Sequence, residues 1–136
     1  MIDLIIKVGQ KFHLRDIDLD KLEKAATIEF ESKNLSTYEN TFNGMAAEHY
    51  MIEHYDYKND PGDYKDVLTP CKKEVEIKSR IKEEYIYEEI EKLTDRKKWG
   101  TVADHVIAFL RKGEEYTCHS IWRWNDETNR YYRDLI

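Results

Sequence analysis

Between Glu74 and Ser79 charged and apolar residues alternate one by one, with Val75 and Ile77 set between Glu74, Glu76 and Lys78. Successive side chains point to opposite faces on an extended strand, so this rhythm predicts a half-buried β-strand with one apolar and one charged face. A second short strand is predicted over residues 64–69, after the turn-forming run Lys58-Asn59-Asp60-Pro61-Gly62-Asp63. The connection, residues 70–73, is short enough for an antiparallel hairpin.

On either side of this hairpin the period is helical. Asp18 or Asp20 can cap a helix running to about residue 34, with Leu22, Ala25 or Ala26 and Ile28 or Glu29 recurring at helical spacing. Polar, turn-prone residues fill 34–43. A helix is predicted over 44–55, where Met45, Ala46, Tyr50, Met51 and Ile52 form one apolar stripe, and another over 81–93, with Ile81, Tyr85, Ile86 and Ile90 on one side. Residues 103–110, an apolar run between Gly100 and Gly113, read as a buried strand; 117–124 read as its partner, with 111–115 as the turn. The opening run Leu4-Ile5-Ile6-Lys7-Val8 is a strand or the start of a helix. Helices and strands in this order predict a single mixed α/β domain, and 136 residues bury one modest core.

Charged residues make up 37% of the chain and hydrophobic ones 40%, a balance that predicts a folded domain rather than a disordered one. No apolar run approaches the roughly 20 residues that span a bilayer. Asp3 stands where a secretion signal carries positive charge, so the expectation is a cytoplasmic protein without membrane contact. Cys71 and Cys118 lack the paired spacing of a zinc site and are expected as reduced thiols. The net charge of −6 runs against the basic excess usual for binding nucleic acid. The charges are unevenly spread, however. Acids dominate from Asp16 to Glu53, while bases gather at Lys72-Lys73, from Lys78 to Lys82, at Arg96-Lys97-Lys98, and at Arg123, Arg130 and Arg133. A locally basic groove on an acidic body is compatible with that pattern, as is plain solvated surface.

The chemistry concentrates on the hairpin. Residues two apart on a strand share a face, so Glu76 and Lys78 project together while Ile77 enters the core. The preceding strand brings Asp66 near that face. Two carboxylates and an ammonium then converge, a hard oxygen set that suits Mg²⁺ or Mn²⁺, since Mg²⁺ takes one or two protein carboxylates and completes its shell with water and phosphate. Lys78 has two roles open to it: orienting or deprotonating an attacking water, or holding a phosphate as a fixed positive charge.

Asp66-Val67-Leu68 followed by Glu74-Val75-Glu76-Ile77-Lys78-Ser79 resembles the PD-(D/E)XK nuclease superfamily. In that family an Asp opens the second core strand, and a Glu-X-Lys lies on the third. The resemblance covers roughly residues 44–110. It implies a restriction-endonuclease-like fold, a central mixed β-sheet flanked by helices, and a Mg²⁺-dependent deoxyribonuclease acting on duplex or branched DNA as a homodimer. It also brings Glu48, on the helix beginning Gly44-Met45-Ala46-Ala47, into the metal site. The catalytic set it implies is Asp66, Glu76, Lys78 and Glu48, with Asp66, Glu76 and Glu48 as metal ligands. The chain departs from the family's Pro-Asp pair: Asn59-Asp60-Pro61-Gly62-Asp63 reverses it, leaving Asp63, and after it Asp60, as alternatives to Asp66. The resemblance divides the chain into an N-terminal helical extension (1–43), a catalytic core (44–110) and a C-terminal strand and tail (111–136).

Other residue types point elsewhere less sharply. His49, His54 and His105 match no closed zinc set. Tyr55, Tyr57 and Tyr64 can stack on bases, and Trp122 and Trp124 can form an interface, but packing explains them as well. A different class of function stays open: a non-catalytic nucleic-acid- or protein-binding module of the same fold, such as an acidic DNA mimic or inhibitor.

Overall fold

The computed structural model describes residues 6–33, 37–59, 67–96 and 102–134. Strand β1 (Lys11–His13) leads through a 3₁₀ turn (Leu14–Asp16) into α1 (Leu19–Lys33), α2 (Tyr38–Tyr55), β2 (Lys58–Asn59), β3 (Val67–Leu68) and β4 (Glu74–Arg80). Then come α3 (Glu83–Asp95), β5 (His105–Lys112), β6 (Glu115–Asn125) and β7 (Arg130–Arg133). The strands form one mixed sheet in the order β1-β6-β5-β4-β3-β2, with β7 also paired to β6. Only β4 and β5 run parallel, joined by the α3 crossover; every other pairing is antiparallel. The domain is mixed α/β, and Glu76-Ile77-Lys78 lies on the third strand after α2, because Lys58-Asn59, expected in a turn, forms β2.

The sheet separates two apolar layers. Beneath α1 and α2, Phe12, Leu22, Ala47, Met51, Val75, Ile77, Ile107 and Phe109 form the larger core. Phe12 anchors it, stacked between Tyr50 and Tyr116 at centroid distances of 4.1 and 4.6 Å. On the other side, Ile86, Ile90 and Leu93 of α3 pack on Val106, Ala108 and Tyr131.

Asp18 caps α1, accepting from the Lys21 amide at 3.2 Å. The hairpin closes through residues 70–73, with Lys72 at φ 65°. The stretch 34–43 is not all turn: α2 starts at Tyr38, capped by Thr37, whose hydroxyl accepts from the Asn40 amide. Tyr38, Phe42 and Met45, spaced as one helical stripe, turn those polar residues helical by packing inward. Ile81 precedes α3 and is exposed rather than inside it. Nor is the N-terminal extension purely helical, because β1 belongs to the sheet. The opening run is described only from Ile6; Lys7 and Gly9 fall in a turn there. In the tail, residues 130–133 form β7. Both cysteines are free, and no helix among the described residues is long and apolar enough to cross a membrane.

Candidate functional site

β4 decides which side chains meet. Its parallel register sets Glu76 beside Val106 and Lys78 beside Ala108, so both project from the sheet face covered by α3. Glu76 is 2% exposed. Its carboxylate accepts from Arg96 Nη1 at 2.7 Å and lies 3.4 Å from Lys78 Nζ. Lys78 Nζ also stands 3.8 Å from Glu89 Oε1 on α3, and Arg80 Nη2 holds the other oxygen of Glu89 at 3.0 Å. Burial pushes the Glu89 carboxyl up, but Lys78 and Arg80 outweigh it and hold it below its ordinary value. Desolvating a lone carboxylate costs several kcal/mol, so Glu76 is tolerable here because cations meet both its oxygens. Lys78, Arg80 and Arg96 against Glu76 and Glu89 leave this cluster locally positive on an acidic chain.

The remaining predicted residues are placed differently. Asp60, Asp63 and Asp66 lie outside the described residues; β3 enters them at Val67, which pairs with Val75. Glu48 sits on α2, and α2 packs on the other face of the sheet from Glu76 and Lys78. The structure therefore unites Glu76 with Lys78. Among the described residues no three His, Cys, Asp or Glu side chains converge as a ligand set. For a divalent ion they offer Glu76, one of the one or two carboxylates Mg²⁺ takes, in a position where cationic groups already gather.

Sequence reasoning missed Glu89, and it placed Arg80 and Arg96 only among the basic clusters, not beside Glu76 and Lys78. Arg80 continues the two-residue rhythm of Glu76 and Lys78, a signal that was present; Glu89 and Arg96 reach the cluster only through the packing of α3.

It also missed a second polar chain. The β5–β6 register shifts between Ala108 and Phe109, and His119 stands at the bulge. His119 Nε2 lies 3.0 Å from Glu83, its Nδ1 lies 2.9 Å from Ser120 Oγ, and Trp122 Nε1 donates to that oxygen at 2.8 Å. An acid, a histidine and a serine in sequence suggest an activated nucleophile. Ser120 is fully buried, though, with Trp122 on its oxygen, so the chain holds β6 to α3 instead of attacking a substrate. His105 is buried with both ring nitrogens unpartnered, and burial, reinforced by Arg123, lowers its pKa to about 4. His54 Nε2 is bonded to the Asp16 carbonyl at 2.8 Å.

Compared with protein families, curated proteins and solved structures, the chain finds no match in any of the three.

Proposed function

We propose that this chain is a divalent-metal-dependent endonuclease that hydrolyses phosphodiester bonds in duplex or branched DNA. One observation carries the reading: a Glu-X-Lys on the third strand after α2, with the buried Glu76 carboxylate 3.4 Å from the Lys78 ammonium. A buried acid beside a lysine, on a strand covered by one helix, is a preorganised charge pair rather than a surface ion pair. Glu76, with Asp66 as second acid, would hold Mg²⁺ or Mn²⁺; the ion supplies acidification of a bound water and neutralises charge developing on the phosphate. Lys78, steered by Glu89, presents its ammonium to the scissile phosphate or to the attacking water. Cutting both strands of a duplex takes two such centres, so the active form is proposed as a homodimer.

A specific observation favours a second reading, the inactive binding module. Arg96 lies closer to Glu76 than Lys78 does, and a closed network of five charges can serve stability alone. Incubation with supercoiled plasmid, single-stranded DNA and RNA in Mg²⁺ or Mn²⁺ separates the two. The nuclease reading expects DNA cleavage that Glu76→Ala abolishes. Inactivity on every substrate supports the binding module, and cleavage unchanged in the variant places the activity elsewhere.

A further inference from the structure

We infer that the cavity at the carboxyl ends of β4 and β5 is a phosphate subsite that takes a backbone phosphate of a nucleic-acid strand. The choice of nucleic acid as ligand rests on the nuclease reading; the choice of phosphate does not. The cavity, about 330 Å³, is lined by Asn40 and Asn43 of α2, Ser79 and Arg80 of β4, Arg111 of β5 and Tyr85 of α3. Its lining includes two arginines and no acid, although the chain carries 28 acids to 22 bases. Two other cavities mix acids with a base: Glu91 and Asp95 with Arg130 in one, Asp20 and Glu23 with Lys24 in the other.

The polar groups here are underused. Among the described residues Arg111 makes no ion pair; its Nη1 donates to the Gly113 carbonyl at 3.0 Å, which leaves most of its donor fork open. Ser79 Oγ is shut off from water and has no hydrogen-bond partner. α3 starts beside the cavity, and Lys82 provides no side-chain cap for its first-turn amides. Arg80 is already held by Glu89 and by the Ser79 carbonyl at 2.8 Å, so it is the open fork of Arg111, on a lining without an acid, that asks for an anion with several oxygens.

Arg80 links the cavity to the proposed centre, since it lines the one and grips Glu89 in the other. It stands two residues beyond Lys78, about 7 Å along the strand. A strand of a few nucleotides passing the end of the sheet reaches both.

The test is binding of a fluorescent oligonucleotide, single-stranded and duplex, by the full chain in EDTA, where cleavage cannot intervene. Arg111→Ala should weaken binding about tenfold and lower the slope of log affinity against log salt by about one, with Arg111→Lys recovering part of the loss. Asn40→Ala, a change on the exposed side of α2, should weaken it two- to fivefold, and thermal unfolding checks that each variant is folded. Inorganic phosphate and a mononucleotide serve as competitors. Weak competition by both, at millimolar concentrations, fits a backbone subsite. A mononucleotide that binds as tightly as the oligonucleotide, and loses affinity in Arg111→Ala, would overturn the nucleic-acid assignment. Unchanged affinity and salt slope in folded Arg111→Ala would overturn the subsite itself. Wild-type protein that binds through Arg111 yet never cuts in Mg²⁺ sinks the nuclease reading alone.

Discussion

Glu76 is the one buried carboxylate among the described residues, and its surroundings set what happens when its charge is removed. Glu76→Gln keeps the shape but leaves Arg96 and Lys78 facing a neutral amide. Both cations retain some solvent access, so the expected loss is about 2 kcal/mol, below the 3–5 kcal/mol seen on breaking a fully buried pair; urea unfolding at pH 7 measures it. His105 makes an independent prediction. Burial, with Arg123 beside it, lowers its folded pKa to about 4 from the ordinary 6.5. Between those values the unfolded chain binds a proton that the folded one refuses. Stability from this group is therefore full above pH 6.5 and falls as pH drops toward 4, by about 3 kcal/mol at most. His105→Phe should flatten that limb, read from urea midpoints at pH 7 and 4.5 against wild type; an unchanged difference would show that other groups carry the acid sensitivity. The strand face shared by Glu76 and Lys78 was legible from their spacing alone. The burial of Glu76 and its grip by Arg96, twenty residues on, were not, because they depend on how α3 lies across the sheet.

At the scale of elements, what the sequence disclosed follows the reach of each signal. β4, α1 and β5 carry internal rhythm or apolar runs, and each stands near its predicted position. β1 and β7 do not. Lys11-Phe12-His13 is too short to show a period, and it is a strand because β6 offers an open edge, with Phe12 sealing it between Tyr50 and Tyr116. Phe12→Ala should then cost about 3–5 kcal/mol in unfolding free energy and release β1, seen as faster amide exchange at Gly9 and Cys118, whose amides donate across that edge. The β5–β6 turn allows a narrower test. Gly113 sits at φ +61° with open space around its α-carbon, so Gly113→Ala should lose about 1 kcal/mol from backbone conformation alone, and Gly113→Asn less. Equal losses for both would mean the turn is not held in that conformation. α2 began earlier than expected because Thr37-Tyr38-Glu39-Asn40 resembles loop composition, although Tyr38 and Phe42 already stood at helical spacing.

Over the whole molecule, acids stand on both sides of the sheet, with Glu83, Glu84, Glu88, Glu89, Glu91 and Asp95 on α3 alone, and the positive excess is confined to the cluster where Lys78, Arg80 and Arg96 meet Glu76 and Glu89. A phosphate close to Lys78, Arg80 and Arg96 meets that cluster's local field more than the net charge of −6. The fold class and the antiparallel hairpin that carries Glu76 and Lys78 were readable in the sequence, since they rest on local periods; β2 and the parallel pairing of β4 with β5 were not. The packing of α2 on the face opposite Glu76 and Lys78 was not, since only tertiary packing decides which face of a sheet a helix covers. The account stands on a divalent ion being held at Glu76. Mn²⁺ titrated into ¹⁵N-labelled protein locates it directly, through paramagnetic broadening of nearby amide signals. Broadening centred on Glu76, Ile77 and Lys78 and abolished by Glu76→Gln is the predicted result; broadening confined to the α1–α2 side, or unaffected by that substitution, would contradict it.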